Sequence, residues 1–245
     1  LVVGAGLLLV LVLRLRRTRT GLLDLSLFRL PTFRAAMTGG LLSRAQNGAA
    51  PFLLVLLLQW TFGLTPLHAS LIIGASAIGA LTMRSGAPSL LRRFGFRPIL
   101  IGSTLLTIGI FLLYALFAVS GSLYGIALVL LAGGFVRSLQ FTILNGLAYS
   151  EVGPTRLSHA TALVATLQQM AQAFGVGVSA IMLQVSANAA GHDGFTSQDI
   201  AVALLLLGMI TGSAIFFFIG LRRDAGAAMI ASPARLPVGD GEDGL

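Results

Sequence analysis

Apolar residues in this chain fall in long continuous runs, not in the alternation of a half-buried strand. The first run, Leu1 to Leu13, is shorter than the ~20 residues a helix needs to cross hydrocarbon. It reads as the end of a truncated transmembrane helix (1–13). Six longer runs follow at about 35–60, 66–83, 98–118, 123–148, 158–186 and 200–221, separated by turn-rich or charged segments. A membrane barrel would alternate in polarity, so these runs predict an all-α, polytopic membrane protein. The expected organisation is a linker over 14–33, a six-helix bundle over 34–221 and a tail over 222–245. The tail is rich in Ala, Gly, Pro and Asp and is expected to be disordered.

Composition narrows the class. Of 245 residues, 56% are hydrophobic and only 10% charged, against ~25% in an ordinary soluble domain. Too few polar residues remain to cover a soluble fold, which excludes a soluble enzyme and a disordered protein. Cysteine is absent, so there are no disulfides and no thiolate metal sites.

The net charge of +8 comes from 16 Arg against 8 acids, with no Lys. In a soluble chain that excess would point to nucleic acid, but position explains it otherwise. Fourteen arginines lie before the first full run, in the 84–97 and 149–157 loops, or after the last run. The alternate connections, near 61–65, 119–122 and 187–199, contain no Arg and carry Asp193 and Asp199. Such alternation is the positive-inside pattern. It places the Arg-rich loops and the C-terminus in the cytoplasm and leaves nucleic acid nothing to explain. The expected location is a cell membrane, of the bacterial inner-membrane kind, with lipid as the first partner.

Only Arg44 and Arg137 fall inside runs, and no acid does. An ionisable residue within a span is costly and marks a candidate site; the plain alternative is snorkelling to an interface. At 100° per residue, Gly40, Arg44, Asn47, Gly48, Pro51 and Gln59 share one side of the first span. Gly133 and Gln140 flank Arg137, with Asn145 further round. In the fifth span Thr161, Ala165, Gln168, Gln172, Gly175 and Ser179 lie within about 80° of one another. These groups must face protein or water, and interhelical hydrogen bonding without a solute role is the competing account. Ser70, Gly74 and Ala77 make a small-residue face on the second span. The third and sixth spans are apolar nearly all round. The order arginine, small or amide, apolar therefore occurs twice, as two inverted three-helix repeats would give.

Several stretches resemble the C-terminal half of a major facilitator superfamily transporter, in its 14-helix drug/proton antiporter branch. They are Leu23 to Arg29 with Pro31 to Arg34, Pro51 to Gln59 with Gly63, and Leu90 to Arg97 with the basic positions Arg92, Arg93 and Arg97 around Gly95. Gly133 to Asn145 and Ser158 to Val178 complete the set. In that pattern Arg92 stands at a usually acidic position and Phe96 at a usually basic one, while Ser70 and Ala75 replace Gly and Pro.

The resemblance implies a fragment of a secondary transporter that exports hydrophobic or amphipathic small molecules by alternating access. Proton coupling would reside in the missing N-terminal half, and no cofactor or metal is implied. The first and fourth helices would line the cavity with Arg44, Asn47, Gln59, Arg137, Gln140 and Asn145. The second and fifth would face the other bundle through Ser70, Gly74, Ala77, Thr161, Gln168, Gln172, Gly175 and Ser179. Two cavity arginines equally suit an anionic solute, and a non-transporting, partner-binding membrane fragment is the alternative from another class. An intramembrane enzyme has little support. His68, His159 and His192 lie near span ends or in a loop without an acid at helical spacing, and no metal-ligand spacing occurs.

Overall fold

The computed structural model describes residues 25–191 and 195–220. Leu1 to Leu13, most of the linker, His192, Asp193 and the tail lie outside the described residues. After a 3-10 turn at Leu25–Arg29 come α1 (Pro31–Trp60), α2 (Pro66–Phe94), α3 (Phe96–Ser120), α4 (Leu123–Tyr149), α5 (Leu157–Ala190), α6 (Ser197–Gly212) and α7 (Ala214–Ile219). No strand occurs among the described residues. The six expected spans are present, and each is long and apolar enough to cross a membrane. The protein is an all-α, multi-pass membrane bundle.

The ends differ from the hydropathy reading in instructive ways. α1 starts at Pro31, four residues early, because proline at the first helical position needs no N–H partner and has its φ preset. α2 does not stop at 83 but continues to Phe94, carrying Arg92 and Arg93 in its last turn. Charge ended the apolar run but not the helix, since cations at a helix C-terminus are favoured by its dipole. The expected 84–97 loop therefore contracts to a corner at Gly95, whose φ of +78° only glycine adopts without strain. The last span is broken at Ser213, following Gly212, the small-residue pair at which helices commonly kink.

The most extensive pairings are α2 with α4, α1 with α5, and α3 with α6. Exchanging α1 with α4, α2 with α5 and α3 with α6 maps the first pair onto the second and the third onto itself, as two related three-helix units require. Both cross-pairs close on glycine. A Cβ at Gly48 would stand 2.1 Å from the Gln172 carbonyl oxygen, and one at Gly175 1.9 Å from that of Ala45. Between α2 and α4, Gly79 would stand 2.0 Å from the Leu131 oxygen and Gly134 1.8 Å from the Ser76 oxygen. Backbone meets backbone at each place, the small-residue packing that holds helices together where lipid supplies no hydrophobic drive.

The two bundle ends differ. Arg29, Arg34, Arg92, Arg93 and Arg156 are gathered at one end with Glu151, whose carboxylate accepts from the Thr32 backbone N–H at 3.5 Å. At the other end Trp60 stacks on Phe195, with ring centroids 5.2 Å apart. The helices starting there carry side-chain N-caps: Thr65, Ser122, and Thr196, which forms a capping box with Asp199.

Candidate functional site

Two apolar clusters make up the core. One holds Phe33, Met37, Phe96, Leu100, Ile143, Leu147 and Phe218 towards the Arg-rich end. The other holds Leu53, Leu57, Phe111, Ile126, Leu130 and Leu204 towards the Trp60 end. Between them runs a buried polar layer of Ser43, Arg44, Gln46, Ser76, Ser103, Thr104, Thr107 and Gln140. Each of α1 to α4 contributes to it at mid-length, which is mid-depth for a spanning bundle. The hydroxyls of Ser103, Thr104 and Thr107 donate to α3 carbonyls at 2.7–3.1 Å, so α3 absorbs its own polar groups.

Arg44 is the largest fully buried side chain, 1% exposed. One guanidinium nitrogen donates to Asn145 Oδ1 of α4 at 2.9 Å and another approaches Met37 Sδ at 3.5 Å, while Nε has no partner. Snorkelling is thereby ruled out for Arg44: the charge points into protein and ties α1 to α4. Gln140 is also committed within the bundle, donating to Thr104 Oγ1 at 3.1 Å. Asn47 is half-buried beside this layer. Gln59 is half-buried too, but fifteen residues beyond Arg44 and about 22 Å further along the helix, so it belongs to the Trp60 end.

Arg137 is placed differently. It is half-buried and lines a cavity of about 40 Å³ together with Gln46, Ser76, Thr107 and Tyr114. The two span arginines thus do not meet: Arg44 pairs with Asn145, and Arg137 opens on the cavity among α1 to α4. A second, larger space of about 610 Å³ lies among α1, α5 and α6, walled by apolar side chains that include Leu41, Met170, Phe174 and Met182.

The expected outer faces divide. Ser70, Gly74, Ala77 and Thr161 are exposed, and Gln168 and Gln172 are half-buried. Gly175 and Ser179, expected on the same outward face, are buried, with Gly175 against α1. They are corrected to packing positions inside the bundle, because the α5 stripe extends round to the contact with α1. On α2 the close approach is made by Ser76 and Gly79, not by the Ser70–Gly74–Ala77 stripe. In the basic corner Arg92 donates weakly to Ser89 Oγ at 3.4 Å, Arg93 lies 5.4 Å from the Phe94 ring centroid, and Arg97 is half-buried. Sequence reading missed Gln46, Ser76 and Tyr114. Ser76 and Tyr114 are single polar groups among apolar neighbours, while Gln46, two residues from Arg44, lies on the opposite side of α1 from the Arg44 face.

No model of a known protein family matches the chain. Curated relatives do. A protein named "Putative multidrug resistance protein MdtD" from Pectobacterium carotovorum is 33% identical over 171 residues, 70% of this chain and 37% of that protein. Its namesake from Salmonella heidelberg is 31% identical over 180 residues, 74% of this chain and 38% of that protein. The chain thus spans little more than a third of the relatives it matches. Together with the six apolar helices, these matches show the resemblance to part of a multidrug transporter of the major facilitator superfamily.

Proposed function

We infer that this homologue of multidrug resistance transporters supplies the C-terminal six-helix bundle of a secondary transporter that exports small hydrophobic or amphipathic molecules by alternating access. The observation that carries the reading is the mid-depth polar layer, with Arg44 and Arg137, in a chain that matches a multidrug resistance protein over 70% of its residues. Bilayer interiors select against such groups unless they serve a pathway or a site. The apolar space among α1, α5 and α6 suits the hydrophobic part of such a solute.

Protons are the coupling ion in this reading. Arg does not titrate in a useful range, and among the described residues the one acid within a spanning helix, Asp199, sits in the first turn of α6 at the Trp60 end, held by Thr196 and Ser186 and away from the polar layer. The proton carrier therefore belongs to the other half of the transporter, which is this bundle's obligate partner. Exposed Ser70, Gly74, Ala77 and Thr161, with half-buried Gln168 and Gln172, form the surface offered to that half. The Arg-rich end is cytoplasmic, in a cell membrane of the bacterial inner-membrane kind.

Replacing Arg137 by Ala in the full-length protein is expected to abolish solute uptake into everted vesicles, where export reads as accumulation, at normal expression. Unchanged export removes the role. Arginines without a carboxylate at mid-depth also favour an anionic cargo on the same fold. A solute screen in vesicles, with and without a pH gradient, separates the two cargoes, and no transport of any solute favours the partner-binding fragment.

A further inference from the structure

Among the described residues Arg137 makes no hydrogen bond or ion pair. A guanidinium offers five N–H donors and cannot shed its charge. On the opposite wall Gln46 is nine-tenths buried, and its side-chain Oε1 is shut off from solvent without a partner. Ser76, also buried, lines the same space. The remaining polar walls are already committed: the Thr107 hydroxyl donates to Ser103 O at 2.8 Å and the Tyr114 hydroxyl to Val129 O at 3.4 Å.

Size and charge select the occupant. About 40 Å³, at roughly 10–15 Å³ per water-sized probe, holds about three or four small species and excludes any drug-like solute. Water alone would solvate the guanidinium but leave its charge uncompensated at mid-depth, where no acid lines the cavity and the span acid Asp199 lies at the Trp60 end of α6. A small anion does both. The Gln46 amide adds an NH2 donor to the wall.

We propose that the cavity among α1, α2, α3 and α4 is a binding site for a monovalent halide-sized anion, held by Arg137 with Gln46 and Ser76. The proposal deepens the role given to Arg137 above and rests on it only for relevance to export. The anion is a resident counter-charge, too small to be the cargo, and it makes the charge state of the α1–α4 crossing depend on the ionic medium.

The test is saturable binding of 36Cl⁻ to the purified full-length protein in chloride-free gluconate buffer, with export assayed separately. Bromide is expected to compete and sulfate not to. Arg137→Gln is expected to weaken binding at least about tenfold, the weight of one charged hydrogen bond, and Arg137→Lys to retain part of it. Ser76→Ala is expected to weaken binding while leaving the charge in place, which guards against misfolding of the Arg137 variants. Absence of saturable binding, equal binding by a folded Arg137→Gln protein, or competition by sulfate as strong as by bromide overturns the site. If Arg137→Ala abolishes export but chloride does not bind, the anion site fails while the transport role stands. If chloride binds and export survives the substitution, the site stands and the transport role fails.

Discussion

Replacing Gly134 by Ala tests the helix crossings most directly. The added Cβ would lie 1.8 Å from the Ser76 carbonyl oxygen, where ordinary contact begins at 3.4 Å, so α2 and α4 must part by roughly 1.6 Å. A radial gap of 0.5–1 Å already forfeits a quarter to a half of a dispersion contact. The obstacle is backbone, which cannot swing aside as a side chain can. Overpacking of about 3 kcal/mol is therefore expected, the upper end of the usual range. Alanine's better helix propensity returns ~1 kcal/mol. The net loss is about 2 kcal/mol, close to thirtyfold in the folding equilibrium. Gly102→Ala is the matched control: a Cβ there meets nothing within 4 Å, so only the propensity gain remains. Equilibrium unfolding in mixed detergent–SDS micelles reads both. If Gly134→Ala unfolds like the parent, or Gly102→Ala loses as much, the close-approach argument is wrong.

Three further outcomes follow from the same geometry. Asn145→Leu leaves the buried Arg44 guanidinium without its oxygen acceptor and should destabilise by about 1.5–3 kcal/mol; coupling to Arg44→Met in a double-mutant cycle checks it. Thr196→Ala removes the hydroxyl half of the capping box, leaving only the backbone N–H to Asp199, and should cost about 0.5–2 kcal/mol, appearing as faster amide exchange confined to the start of α6. Because the chain has no cysteine, single substitutions report topology cleanly: Ser120→Cys should react with an impermeant thiol reagent from outside the cell and Thr155→Cys only from inside.

The span pattern was legible because hydropathy and helix length answer to one cause, the thickness of the hydrocarbon layer. Helix ends were less legible, since Pro31 and the terminal arginines of α2 act on the backbone and its dipole, which hydropathy does not weigh. The two span arginines could be picked out by charge alone, yet their separation could not: which helix faces which decides that Arg44 meets Asn145 while Arg137 meets a cavity. Gly134 and Gly79 illustrate the same limit. A glycine signals that a close approach is allowed, and only the packed partner says where it happens, so Gly74 on the same helix lies open. Gln140 was assigned to a cavity by its neighbourhood in sequence and is held inside the bundle by Thr104 on a different helix.

The paired glycine crossings also set how the bundle can move. α1 has 30 residues and is about 45 Å long, with Gly48 near its midpoint. A helix clamped backbone to backbone at its centre resists sliding but tolerates tilting there, like a lever on a fulcrum. Small angular changes at the polar layer would then become displacements of opposite sign at the Arg-rich and Trp60 ends. Narrowing at one membrane surface and widening at the other become one mechanical event, transmitted without bending any helix.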